Sequence, residues 1–140
     1  MAGIPVGVNV APIIPGLNDG DIPSILEAAA DAGATRAGRV MVRLPGEVNT
    51  IFETRIRDAF PLRADKIFHR IEDARDGQRN DPCFGRRLQG RGPYWSAIES
   101  LFQTTCARVG LEVGSVGLVA DGQRVDTFER PGVGRQLSLF

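Results

Sequence analysis

Arg86, Arg87 and Arg91 precede Tyr94 and Trp95, and guanidinium groups interleaved with aromatic rings can hold phosphates while stacking bases. The same arginines could instead form surface ion pairs with Asp81 or Glu99, since arginine stands almost everywhere for lysine in this chain and Lys66 is the only lysine. Cys83 lies between Pro82 and Phe84, near arginines that could favour its thiolate. Glu47, Glu53 and Asp58 follow a strand-like run, on the side of an α/β layer where sites gather, but solvated helix charges explain them equally. His69 has no second histidine or suitably spaced cysteine, so it is a poor metal ligand and reads as packing or surface.

Regular elements must position these groups. Ile4, Val6, Val8 and Val10 alternate with small or polar residues and predict a strand from Ile4 to Ala11. Prolines and glycines in Pro12-Ile13-Ile14-Pro15-Gly16-Leu17-Asn18-Asp19-Gly20 then predict a loop. Asp21 can cap the next helix, Pro23 fits its first turn, and Ile22, Ile25, Leu26, Ala29 and Ala30 repeat at helical spacing until Gly33. The run from Arg39 to Leu44, closed by Pro45-Gly46, predicts a second strand and completes a β-α-β unit.

Helical spacing returns in Val48, Ile51, Phe52, Ile56 and Phe60, and after Pro61 in Ile67, Phe68 and Ile71. The stretch from Gly77 to Pro93 is glycine- and arginine-rich and has neither period, so it reads as a loop. A helix from Tyr94 to Val109 should end at Gly110, with a further strand between Val113 and Val119. From Asp121 onward glycine, proline and charge predict a flexible arm.

At 140 residues one core is the expectation. Seventeen basic and seventeen acidic residues cancel, so any nucleic-acid binding must be local rather than driven by a whole-protein field. Two cysteines without C-x-x-C spacing read as reduced thiols, Cys106 as a small buried hydrophobe in a helix. No apolar run reaches the ~18 residues of a membrane span, which points to a cytoplasmic protein with no membrane partner.

The loop Pro12 to Asp19 resembles the G-x-I-x-G-x-x-E signature of radical S-adenosylmethionine enzymes, with Pro12 in place of the first glycine and Asp19 in place of the glutamate. Ala2-Gly3-Ile4-Pro5-Val6, Arg43-Leu44-Pro45, Asn80-Asp81-Pro82, Phe84-Gly85 and Gly92-Pro93-Tyr94 resemble the later half of the spore photoproduct lyase-like (DNA repair photolyase-like) group of that family. The resemblance implies S-adenosylmethionine and a 4Fe-4S cluster in the full-length protein. It also implies that Pro12, Ile14, Gly16, Asn18 and Asp19 lie beside the adenosine, with Ile14 packing on the ring and Gly16 allowing close approach. The family's C-x3-C-x2-C cluster motif is absent, so this chain alone is expected to hold no cluster and to be inactive. That absence predicts either a fragment or a protein whose other half is a separate chain.

Gln136-Leu137-Ser138-Leu139-Phe140 matches the peptide pattern by which bacterial replication and repair proteins bind the DNA polymerase sliding clamp. Leu137, Leu139 and Phe140 supply apolar anchors and Gln136 directed hydrogen bonds. The expected architecture is therefore α/β: residues 1–76 as the last strands and helices of a partial (β/α) barrel, 77–120 as a loop and helical extension, and 121–140 as a flexible arm with the clamp-binding tail. A non-catalytic adaptor that docks on the clamp and touches DNA through the segment from Arg86 to Trp95 is the alternative.

Overall fold

The computed structural model describes residues 5–114. The alternating start becomes strand β1, Gly7–Ile13, with Val8 and Val10 turned to the core and Gly7, Asn9 and Ala11 exposed. It continues through Pro12, which the sequence assigned to the loop. β1 lies at the edge of the sheet, where a residue without an N–H removes no ladder bond, and its register shifts between Val10 and Ile13. The Ala11–Pro12 peptide is cis.

Helix α1, Ile22–Asp31, carries its proline in the first turn and buries Ile22 and Leu26. Asp21 makes no side-chain cap, contrary to expectation, because its backbone is already helical (φ −86°, ψ −9°) rather than extended as a capping residue requires. Its amide instead donates to the Asn18 carbonyl at 3.1 Å.

Strand β2, Arg36–Met41, lies parallel to β1 and begins before the predicted β-branched run. Arg36, Ala37, Gly38 and Arg39 pair with Gly7 to Val10, and beyond the register shift Met41 pairs with Ile13; there Met41 N–H donates to Leu88 O at 3.0 Å and Val42 N–H to Ile13 O at 2.9 Å. The ladder therefore starts earlier than the predicted run, and its last pair, Ile13 with Met41, lies beyond the irregularity in β1.

Helices α2, Glu47–Ala59, and α3, Ala64–Asp73, flank Pro61 as their spacing predicts. Helix α4, Gly92–Val109, ends at Gly110 in the left-handed conformation (φ 76°), and β3, Glu112–Val113, then pairs parallel with β2. The rest of the predicted strand from Val113 to Val119 lies outside the described residues.

The sheet order is β1-β2-β3 and the class is α/β. Val10, Ile13, Leu26, Met41, Ile71, Trp95 and Phe102 belong to one core, so α4 shares its hydrophobic interior with the β-α-β unit. Burying each large side chain of this kind contributes about 1.5–3 kcal/mol. Cys106 lies fully inside this core. The opposite face of the sheet presents exposed Asn9 and Ala11 and half-buried Gly38 and Val40. No helix among the described residues is long and apolar enough to cross a membrane.

Candidate functional site

The turn after β1 leaves the carboxyl edge of the sheet and is held from within. Asn18 Oδ1 accepts from the Ile14 amide at 2.8 Å, and its Nδ2 donates to Pro12 O at 3.0 Å. Asp19 Oδ1 accepts from the Gly16 amide at 3.0 Å. These are Asx-type bonds, in which a short polar side chain substitutes for the missing backbone partner.

Neighbouring helices then lock the turn. Arg63 of the α2–α3 connection donates to Gly16 O at 2.8 Å. Arg70 of α3 donates to the Tyr94 hydroxyl, which donates in turn to Asp19 Oδ2, while the Arg70 guanidinium lies 3.9 Å from the centre of the Tyr94 ring. Burial, and then the bond to Asp19, push the Tyr94 hydroxyl above its ordinary value. Gly16 has φ +81°, and a Cβ there would meet Arg70 Cδ at 2.8 Å. The close approach that this glycine permits is made by the protein's own arginine. What the turn offers a ligand is the half-buried Ile14 side chain, because the Asn18 and Asp19 side chains and the Gly16 backbone groups already have partners.

The arginine–aromatic segment is arranged differently from the expectation. Trp95 is 2% exposed and packs against Gly90 and Met41, so its ring has no face open for a base. Its flanking periodicity within α4 buries it, and a sequence reading that weighs only residue type cannot see this. Tyr94 is engaged with Asp19 and Arg70. Arg86 lies 3.5 Å from Asp81, and Arg91 lies 2.6 Å from Asp76 and 3.9 Å from Asp81. Arg87 sits over Phe84, 4.9 Å from the ring centre, and Phe84 is 72% exposed. Phe84, which the sequence reading passed over, is the open aromatic surface here.

Near the carboxyl end of β2 lies a buried arginine that sequence reasoning missed. Arg75, at the end of α3, is 5% exposed and donates from Nη2 to Val42 O at 2.8 Å and to Arg87 O at 3.1 Å. Burial pulls its guanidinium below the usual arginine value. Its Nε and Nη1, and separately Arg43 Nε, Asn49 Oδ1 and Asn80 Oδ1, are buried without a hydrogen-bond partner among the described residues. The one available signal was a cluster of polar residues around strand and helix ends, which sequence alone does not distinguish from a solvated surface.

Other candidates are accounted for by structure. Glu53 bonds Arg79 at 2.5 Å and Arg57 at 3.0 Å, and the Arg79 bond first, then Arg57, hold its carboxyl below the ordinary range. Glu47 and Asp58 are exposed, and His69 is an exposed side chain 3.6 Å from Asp73. Arg39 of β2 pairs with Glu99 of α4 at 2.6 Å beside a cavity of about 260 Å³ that Trp95 also lines, and none of its lining residues belongs to the turn after β1.

Cys83 is exposed in the loop and Cys106 is buried in the core, and among the described residues no group of three or more His, Cys, Asp or Glu side chains could hold a metal. These donors do not fit an iron–sulfur cluster. The segment Gln136 to Phe140 lies outside the described residues. Comparison with protein-family models, with curated proteins and with solved structures finds no match.

Proposed function

We propose that this chain is the adenosine- and substrate-side portion of a radical S-adenosylmethionine protein of the spore photoproduct lyase-like group, with the turn from Pro12 to Asp19 against the nucleoside. The supporting observation is a rigid apolar turn at the carboxyl edge of a parallel sheet that has one uncovered face among the described residues. Parallel sheets are ordinarily covered on both sides, so Asn9, Ala11, Gly38 and Val40 read as the inner wall of a partial (β/α) barrel completed elsewhere in the full-length protein. Ligands of such layers lie at the carboxyl ends of the strands, beside this turn. On this reading Ile14 packs on the adenine, while Asn18 and Asp19 hold the turn rather than the ligand. The cluster that would initiate radical chemistry belongs to a segment other than residues 5–114.

The test is a titration of the isotopically labelled chain with S-adenosylmethionine, followed by amide resonances. Shifts concentrated between Ile13 and Asp19, lost in Ile14→Asp, are the expected result. A titration that leaves these amides unmoved overturns the proposal.

A second reading, favoured by the pattern Gln136-Leu137-Ser138-Leu139-Phe140, makes the protein a ligand of the bacterial sliding clamp. It is compatible with a DNA-repair role, and it also stands alone as a non-catalytic adaptor. Deleting the five residues should abolish binding to an immobilised clamp; undiminished binding removes this reading.

A further inference from the structure

We propose that one face of α3, carried by Arg63, Lys66 and Arg70, is a contact surface for the phosphate backbone of a nucleic-acid strand. Arg63 directly precedes α3, and with Lys66 and Arg70 it recurs at i, i+3 and i+7, the spacing that places side chains on one side of a helix. Arg63 and Lys66 are exposed and Arg70 is half-buried, so each keeps a side toward solvent.

The two arginines converge on one residue. Arg63 donates to Gly16 O at 2.8 Å, and the Arg70 side chain lies where a Cβ of Gly16 would stand. The face is thereby held against the turn after β1. Each guanidinium has five donors and spends one here, Arg63 on Gly16 and Arg70 on the Tyr94 hydroxyl. None of the remaining donors belongs to the buried unpartnered atoms among the described residues, so they stay within reach of a ligand.

Charge selects the ligand. None of the three cations has a carboxylate within ion-pair distance among the described residues. Nearby acids are turned elsewhere: Asp65 to Arg57 at 2.8 Å and Asp73 to His69 at 3.6 Å. Asp19 reaches Arg70 only through the Tyr94 hydroxyl and offsets part of its charge. By contrast Arg57 and Arg79, which meet α3 at Asp65 and Glu72, are each paired with two carboxylates. Arg86 and Arg91, which the sequence singled out for phosphates, are paired with Asp81 and Asp76. In a chain without net charge, an uncompensated basic face is the local field that attracts a polyanion. Seven residues of helix rise about 10 Å, the length of about three phosphates of one strand at ~3.4 Å each. Contacts of this kind position a backbone and read no sequence. The surface is read from charge and spacing and does not rest on the nucleoside reading.

The experiment titrates a fluorescently labelled oligonucleotide with the full chain over a range of salt and follows anisotropy, with poly-glutamate as the comparison polyanion. The logarithm of affinity should fall with the logarithm of salt with a slope of about −2. Lys66→Gln and Arg63→Gln should each weaken binding about fivefold or more at about 50 mM salt and make the slope shallower by about 0.7 to 1. Arg108→Gln, at an arginine paired with Glu27, should leave binding unchanged. Arg63 also ties the Gly16 carbonyl, so Lys66→Gln carries the test if Arg63→Gln does not fold. No binding at low salt, poly-glutamate bound as tightly as the oligonucleotide, unchanged affinity in Lys66→Gln, or a loss confined to Arg86→Gln overturns the proposal.

Discussion

Two loops leave the same carboxyl edge of the parallel sheet, one after β1 and one after β2, and they treat their polar groups in opposite ways. In the first, Asn18, Asp19, Arg63, Arg70 and Tyr94 satisfy one another and the backbone, and the turn is closed. After the second, Arg43, Asn49, Arg75 and Asn80 each keep at least one buried atom without a hydrogen-bond partner among the described residues. A closed hydrogen-bond network gives shape, whereas an open one gives affinity, since only unpartnered groups gain by meeting a ligand. The first loop should therefore carry more stability per polar side chain than the second.

Gly16→Ala is the strongest test of that division. The positive φ costs about 1–2 kcal/mol for an alanine, and displacing Arg70 from its 2.8 Å approach adds about 1–3 kcal/mol. A loss of about 3 kcal/mol in urea unfolding is expected. Gly77→Ala, with φ +82° and open space around its Cβ, should show the backbone part alone. Equal losses at the two positions would mean that the packing of Arg70 on the turn contributes nothing.

Asn18→Ala comes next. It removes an acceptor from the Ile14 amide and a donor from the Pro12 carbonyl, and should cost about 2 kcal/mol by the same measurement. Tyr94→Phe should cost about 1 kcal/mol near neutral pH. The Tyr94 hydroxyl is raised above its ordinary 10.0, so the folded state favours the protonated form. Its contribution is complete below the unfolded value and is lost as pH rises through the raised one. Stability of the wild type should fall in that alkaline window, and the phenylalanine variant should fall less.

The smallest effect belongs to the open loop. Arg43→Met should change stability by less than about 0.5 kcal/mol, because an apolar side chain replaces a charge that has no ion-pair partner among the described residues. A large destabilisation would show that Arg43 is as much a structural member as Asn18, and the contrast between the loops would fail.

Much of the fold was legible because it rests on local periodicity. The breaks at Pro61 and Gly110, the proline in the first turn of α1 and the apolar faces of α3 and α4 follow from residue spacing. The strand limits did not, because parallel pairing is decided by a partner distant in sequence: β2 starts at Arg36 opposite Gly7, not where its β-branched residues gather. The turn was visible as proline and glycine, but its lock required Tyr94 and Arg70, whose partnership with Asp19 no local pattern encodes. The burial of Arg75 was invisible for the same reason, since it reaches the Val42 carbonyl only after α2 and α3 have folded between them.

The hydroxyl link from Tyr94 to Asp19 spans 75 positions of chain, and the pairing of Arg36 with Glu112 is similarly remote. During synthesis the early β-α-β segment must therefore wait for α4 to emerge before its first turn acquires its outer brace. A nascent chain stalled before Gly92 should leave that turn open to proteolysis, and cleavage there should cease once α4 has cleared the ribosome.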